Sequence, residues 1–362
     1  MRQACNRIYF LDGMRLAAAV FVMIYHYAGG GVPGAKTANQ NFNHFAAYCW
    51  LGVQMFFMVS GFVICMSAWG KTLSTYLRSR MMRLYPAYWC CVFLTSVVML
   101  IPGAAIDGAR PNISQVLTNL TMLQKPLGVT PIDNSYWTLW SECRFYMLFA
   151  LVAWLGLTYR NVIAFCWLWV ICIVLTPGSG IPLLDTVFNP SYAPLFIAGI
   201  AFYVIRRGGA RQPQAWVLIS LSWFLMQHSM VHTVKSFSRP AHPLSWSVCV
   251  AVVSVFYLAM AAVALGYFDN LNWRVLSIGG SISYPLYLVH QEIGLVAIRH
   301  WQTSVPSRFL IPAVIATMIA TGWAVHRFVE RPTAALLKKF FTRNSGSHPP
   351  SEEFKARQAA SS

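Results

Sequence analysis

Apolar runs long enough to cross a bilayer recur along the whole chain. They fall at roughly 8–28, 48–68, 84–103, 136–156, 161–177, 190–206, 214–232, 245–267, 280–299 and 308–328. A helix of about 17–25 apolar residues spans the hydrocarbon layer, so the pattern predicts an all-α, polytopic membrane protein with about ten transmembrane helices. The connections between the runs are short. The largest, about 104–135, is too short for a folded domain. Its prolines, Pro111, Pro126 and Pro131, and its apolar piece "VLTNLTMLQ" predict a partly helical cap on the outer surface. Asn112-Ile-Ser and Asn119-Leu-Thr within it match the glycosylation sequon, a pattern that arises often by chance. The basic connection "GKTLSTYLRSRMMRLYP" predicts a short interfacial helix. The polar stretch "NSGSHPPSEEFKARQAASS" predicts disorder. The expected division is therefore a transmembrane domain over 1–342 and a disordered cytoplasmic tail over 343–362, with no internal repeat.

Composition sharpens this reading. The 362 residues are 57% hydrophobic and 10% charged, with a mean hydropathy of +0.52. Soluble domains carry about 25% charged residues. The net charge of +17 has to be read by position. With the N-terminus inside, eighteen of the 27 lysines and arginines fall in inner segments and seven in outer ones. Arg15 and Arg144 fall within spans. This bias follows the positive-inside rule and predicts both termini in the cytoplasm. It also removes any need for a nucleic-acid partner. Cys65, Cys90, Cys91, Cys143, Cys166, Cys172 and Cys249 lie in or beside apolar runs, where cysteine behaves as a small hydrophobe. Neither disulfide nor metal spacing is present, and no metal is expected. The first run carries Arg15 and lacks a convincing cleavage site, so it is expected to be retained rather than removed as a signal peptide.

Ionisable residues inside a membrane are costly and need an explanation. The first run, "LDGMRLAAAVFVMIYH", holds Asp12, Arg15 and His26. Arg15 and His26 are eleven positions apart, which is about three helical turns and about 16 Å of rise, so they share a face. Asp12 precedes Arg15 by three positions and is expected to pair with it. The competing explanation is snorkelling to the headgroups. Glu142 lies about 9 Å into the fourth run by helical rise. Arg144, two residues on, points elsewhere, so each must find a partner on another helix. An interhelical ion pair that merely fixes packing is the alternative. His290 falls near the middle of the ninth run, where it serves either chemistry or a helix–helix hydrogen bond. His26, Glu142 and His290 therefore come from three helices at similar depth and form a candidate general acid/base cluster. Arg15 lies inward of them. Arg80 and Arg83, three apart in "RSRMMR", share a helix face and offer the bidentate geometry that suits phosphate, although basic residues there also serve orientation. Ser60 and Gly61 in "GVQMFFMVSGFVI" permit close helix approach.

Taken in order, these pieces resemble the acyltransferase-3 family of integral-membrane O-acyltransferases. "LDGMRLAAAVFVMIYH" is similar to its Arg-x10-His first helix. "GVQMFFMVSGFVI" resembles its second helix, and "RSRMMRLYPAYW" its Arg-x-x-Arg segment followed by Tyr-Pro. "WTLWSECRFY" resembles its Trp-Ser-Leu…Glu…Phe-Tyr motif, "SYPLYLVHQ" its late Ser-Tyr…Leu-Tyr-Leu…His motif, and "HRFVERP" its closing segment. The likeness runs from residue 8 to about 332. It departs at Gln54, where the family often has Asp, and at Cys143 and Arg144, where a second acidic residue or a Gln-rich context is common.

The resemblance implies transfer of an acyl group, commonly acetyl, from cytoplasmic acyl-CoA. The expected acceptor is a hydroxyl of a surface glycan or its lipid-linked precursor. It assigns His26, Glu142 and His290 to catalysis. Arg15, Arg80 and Arg83 are expected to bind the acyl-CoA, with Trp137 and Tyr284 contacting substrate. A bacterial inner membrane is the implied location. The rival reading is a proton-coupled transporter or exporter of a glycan or small molecule, since buried His and Glu also suit proton relays.

Overall fold

The computed structural model describes residues 7–29, 40–101, 110–176, 181–238 and 243–337. Among these residues the structure is helical, without strands. The elements are α1 (Tyr9–Ala28), α2 (Gln40–Tyr48), α3 (Gly52–Ala68), α4 (Leu73–Met99), α5 (Ile113–Leu120), α6 (Trp137–Leu155), α7 (Tyr159–Leu175), α8 (Pro182–Phe188), α9 (Ala193–Gly208), α10 (Pro213–Phe237), α11 (Trp246–Leu265), α12 (Arg274–Trp301) and α13 (Ser307–Val325). Each of the ten apolar runs coincides with one of the longer helices. Among the described residues, five helical stretches are long and apolar enough to cross a membrane by length and composition: Asn41–Ala68, Leu73–Met99, Leu183–Gly208, Trp246–Leu265 and Ser307–Leu337. Polar residues lower the hydropathy of α1, α6 and α12, the helices that carry the candidate chemistry. The expected tail at 343–362 lies outside the described residues.

Helix α9 occupies the middle of the bundle. Every residue from Ala193 to Ile205 is buried, as expected for a helix that is apolar all round. It packs against α3, α7, α10 and α11. The contact with α3 is unusually close. A Cβ on Gly61 would strike the Phe196 backbone, and one on Gly199 would strike the Met58 backbone. Two glycines facing each other's helix thus let the backbones meet, as the small residues of the second run predict. On the opposite side α1 lies between α12 and α3. Large apolar side chains face outward on α4, α6, α7, α11 and α13, among them Phe93, Trp154, Leu168, Leu258 and Phe309. An apolar exterior on this scale fits a lipid surround, not water.

Two expectations are corrected. The basic connection before the third run is not a separate interfacial helix. It is the first half of the 27-residue helix α4, which starts at the Thr72 cap (Thr75 N–H to Thr72 Oγ1, 3.4 Å) and runs unbroken through Pro86. Arg80 and Arg83 are therefore fixed on a helix wall. Asp12 does not pair with Arg15. Its Oδ2 accepts from Arg7 Nε at 2.6 Å, and Arg7 also donates to the Ser277 carbonyl at 3.1 Å. This ties the start of α1 to α12, where Gly280 leaves room for the Asp12 carboxylate.

The expected cap is partly helical. In α5, Asn112 caps the helix through Gln115 N–H at 2.7 Å. Asn119, within the second sequon, is fully buried. Its amide donates to the Gln115 and Thr130 carbonyls at 2.9 and 3.2 Å and accepts from Ile132 N–H at 3.0 Å. The side chain is committed to holding the loop together.

Because the α3–α9 contact admits no Cβ, Gly199→Val is expected to lower the unfolding midpoint of the detergent-solubilised protein sharply. Overpacking of this kind costs roughly 1–3 kcal/mol or more. Thermal melting followed by size-exclusion fluorescence checks this, and a midpoint equal to wild type would contradict the close approach.

Candidate active site

Arg15, Arg80, Arg83 and Glu142 converge from α1, α4 and α6 on one small cavity of about 20 Å³, lined also by Ser60 and Tyr146. Helical phase explains this. Arg80 and Arg83, three apart, tuck inward, while Arg78 stays exposed. Three guanidinium groups thus surround a single carboxylate. Arg80 Nε is buried without a hydrogen-bond partner. Glu142 accepts a hydrogen bond from Ser60 Oγ on α3. Tyr146, one turn further along α6, faces the same carboxylate. A cationic, arginine-lined recess with an unpaired donor has the chemistry to receive an anion, and arginine favours phosphate oxygens.

A second cavity of about 60 Å³ adjoins the first. It is lined by Arg15, Ser60 and Glu142 again, and then by Val53, Phe56, Phe57, Thr138, Leu139, Tyr284 and Tyr287. The shared residues show that the two spaces adjoin, with the Ser60–Glu142 hydrogen bond as the neck between them. Tyr284 lies on the wall, its hydroxyl donating to the Leu84 carbonyl at 3.2 Å. Trp137 is not among the lining residues. It packs on Tyr192 (5.3 Å between ring centroids) and on Phe57 (6.4 Å), one layer behind the wall.

Tyr287 joins this cavity to the two histidines. Its ring centroid is 5.3 Å from that of His290, which is 5.2 Å from that of His26. The His26 side chain is therefore turned toward α12 and not toward lipid. His290 is fully buried, whereas His26 keeps partial access. His290 Nδ1 is 2.8 Å from the Tyr287 carbonyl oxygen. A carbonyl only accepts, so Nδ1 carries the proton and Nε2 presents a lone pair. That Nε2 is buried without a partner. The structure thus separates what the sequence grouped as one cluster. His26 and His290 form a pair, and Glu142 belongs with the arginines on the other side of Tyr287. Arg144 turns away from both, donating to the Thr186 carbonyl at 2.5 Å and to Ser141 Oγ at 2.9 Å.

His290 is held by a brace that sequence reasoning missed. Pro285 removes one backbone donor from α12. Beyond it, side chains from other elements bond the helix backbone. Tyr27 donates to the His290 carbonyl at 2.5 Å, and Tyr136 donates to the Leu288 carbonyl at 3.3 Å. Gly294 makes the first contact possible, because a Cβ there would collide with the Tyr27 hydroxyl. Asp133, fully buried, accepts from Glu292 N–H at 3.1 Å and from Ser135 N–H and Oγ at 2.8 and 2.5 Å. Burial pushes the Asp133 carboxyl up to about 6, against the opposing pull of these hydrogen bonds. The available signal was the Asp-x-Ser turn pattern just before the fourth run. It identifies a cap but not a partner on another helix. Ser60, whose small size alone stands out in the sequence, adds a hydroxyl that bonds Glu142.

If this brace fixes α12, Asp133→Ala should destabilise the protein by about 1–3 kcal/mol for each buried donor left unpaired. Asp133→Asn, which keeps one acceptor oxygen, should fall between. Melting midpoints in detergent measure the order. Equal midpoints for wild type and Asp133→Ala would show that the brace contributes nothing.

Comparison with known proteins supplies the family. The acyltransferase-3 family model, described as an acyltransferase domain, matches residues 8–327. The chain is 26% identical over 372 residues to Acyltransferase MdmB of Streptomyces mycarofaciens, an alignment covering 91% of this chain and 92% of that protein. No solved structure matches significantly. With that match over nearly the whole chain, on an all-helical bundle with five membrane-length apolar helices, the chain belongs to the acyltransferase-3 family of acyl-transferring integral membrane enzymes.

Proposed function

We propose that this enzyme moves an acyl group, acetyl in the simplest case, from cytoplasmic acyl-CoA to a hydroxyl of a glycan or its lipid-linked precursor. In this reading all ten long helices cross a bacterial inner membrane, with both termini in the cytoplasm. What supports the reading is the pair of adjoining cavities. The arginine recess meets the second cavity at Glu142, and Tyr287 on that cavity's wall stands next to the paired imidazoles, where His290 Nε2 is unpartnered.

Arg80 and Arg83 bind the phosphates of the coenzyme, and Arg15 draws the pantetheine arm inward past the Ser60–Glu142 neck. The thioester carbonyl then lies near the histidines. His26, the more accessible ring, takes the proton of the acceptor hydroxyl as its oxygen attacks the carbonyl carbon. The C–S bond breaks as the C–O bond forms, and the proton passes to the departing thiolate. His290, with its tautomer fixed by the Tyr287 carbonyl, orients His26 and stabilises its charged form. A thioester is activated enough for a positioned base and a few donors to suffice.

Purified protein in lipid nanodiscs, given radiolabelled acetyl-CoA and a cell glycan extract, tests this. Thioester loss should depend on the extract. His26→Ala should reduce it at least hundredfold at normal protein yield. Arg80→Gln should raise the donor KM about tenfold or more with a smaller effect on kcat, the size expected for losing a charge-assisted hydrogen bond. Full activity in His26→Ala would remove His26 from the chemistry. Absence of thioester loss in wild type would favour the transporter reading. Mass analysis of surface polysaccharide with and without the gene identifies the acceptor by the loss of one acetyl mass.

A further inference from the structure

The cavity beyond the Ser60–Glu142 neck is divided by polarity. Its charged groups, Arg15 and Glu142, stand at the neck, since both also line the arginine recess. The rest of the wall is largely apolar. Helix α3 supplies Val53, Phe56, Phe57 and Ser60, whose spacings of three, four and seven place them on one helix face. That face runs from Ser60 at the neck past the two phenylalanines to Val53, about 10 Å by helical rise. Leu139 on α6 and the rings of Tyr284 and Tyr287 on α12 complete the wall.

The hydroxyls around this space are already engaged. Tyr284 donates to the Leu84 carbonyl at 3.2 Å. Thr138 Oγ1 lies 3.0 Å from both the Tyr287 hydroxyl and the Ser135 carbonyl oxygen. Ser60 bonds Glu142. A sugar ring placed here would give up its hydrogen bonds to water with little return, whereas a hydrocarbon chain has none to lose. The two phenylalanines differ in role. Phe57 is buried, its ring 4.9 Å from that of Phe196 and 5.1 Å from that of Tyr192, so the core fixes its position. Phe56 keeps partial exposure and meets the Tyr287 ring edge-on, 5.4 Å between centroids. This contact bridges α3 and α12 and closes the space between them. Tyr287 is also the ring beside His290.

Size narrows the occupant. A volume of about 60 Å³ holds about four to six water-sized groups, at about 10–15 Å³ for each. The carbon and oxygen of a thioester carbonyl take about two of these, which leaves room for about two to four more carbons.

We propose that this cavity is the acyl chamber, and that Phe56 sets the longest chain it accepts, at about four carbons. The assignment rests on the acyl-CoA reading and adds the chain length and its determinant. With the thioester sulfur at the neck, the chain lies along the α3 face and its tip rests against Phe56 and Val53. A longer chain has to displace the Phe56–Tyr287 contact, and with it the ring that stands beside His290.

Displacement of radiolabelled acetyl-CoA from the full chain in nanodiscs tests this without an acceptor. The competitors are unlabelled acetyl-, butyryl-, hexanoyl- and octanoyl-CoA. Butyryl-CoA should bind more tightly than acetyl-CoA, by about fourfold for each added carbon. Hexanoyl- and octanoyl-CoA should bind at least about tenfold more weakly than butyryl-CoA. Phe56→Ala should remove that loss for hexanoyl-CoA. Val53→Phe, which adds a ring to the same wall, should make butyryl-CoA bind more weakly than acetyl-CoA. Each readout is a ratio within one preparation, so loss of folded protein cancels. An affinity that climbs steadily to octanoyl-CoA would mean that the chain leaves the protein for lipid, and would overturn the assignment. A ranking unchanged in both variants would do the same. Absence of saturable acetyl-CoA binding in wild type would sink the acyl-CoA reading and the chamber with it. Saturable binding without a break in chain length would overturn the chamber alone.

Discussion

Burying three guanidinium groups beside one carboxylate is the constraint around which the bundle is arranged. Removing a charge from water costs several kcal/mol unless partners replace the solvent. Here the partners come from four helices, because no single helix can present them all. Arg15, Arg80, Arg83, Ser60 and Glu142 must meet from α1, α3, α4 and α6. The balance is incomplete, with three cations, one anion and an orphaned Arg80 Nε. Such an excess supports the proposed binding of an anionic donor there. The wholly apolar α9 and the glycine contact at Gly61 and Gly199 supply the close packing against which this polar seam is held.

Helix α12 answers a different problem. It carries a proline and, five residues later, a buried histidine, and the elements around it grip its backbone beyond the proline. Tyr27, Tyr136 and Asp133 each bond the backbone of α12 between Leu288 and Glu292. The imidazole is thereby positioned through the main chain, which moves less than a side chain would. Residues on either side of His290 line two spaces, Tyr284 and Tyr287 the one beside Glu142, and Gln291 and Glu292 the one beneath α5.

Much of this was legible in the chain itself. Period and run length placed every long helix, because an apolar run of that length has few alternatives to a helix. The eleven-residue spacing of Arg15 and His26 fixed their common face, and the three-residue spacing of Arg80 and Arg83 fixed theirs. Contacts between helices were not legible. Asp12 had Arg15 at the right spacing, yet Arg7 and the backbone of α12 hold it instead. Glu142 shared a depth with the histidines, but depth says nothing of azimuth, and Tyr287 stands between them. Asp133 reads as a turn residue, and its role depends on Glu292, 159 residues away on α12. The basic stretch before the third run has the charge of an interfacial helix, yet α4 continues through it into the apolar run.

The neck formed by Ser60 and Glu142 has a consequence for the cell as well as for the substrate. In the proposed reading, an enzyme that draws its donor into the bilayer from one face must not become a conduit to the other. A continuous water column between the faces would let protons and ions run down their gradients and drain the energy stored across the bilayer. In the proposed orientation, a passage only tens of Å³ in volume, cinched by a hydroxyl on a carboxylate and flanked by arginines that repel cations, keeps the membrane electrically tight between turnovers.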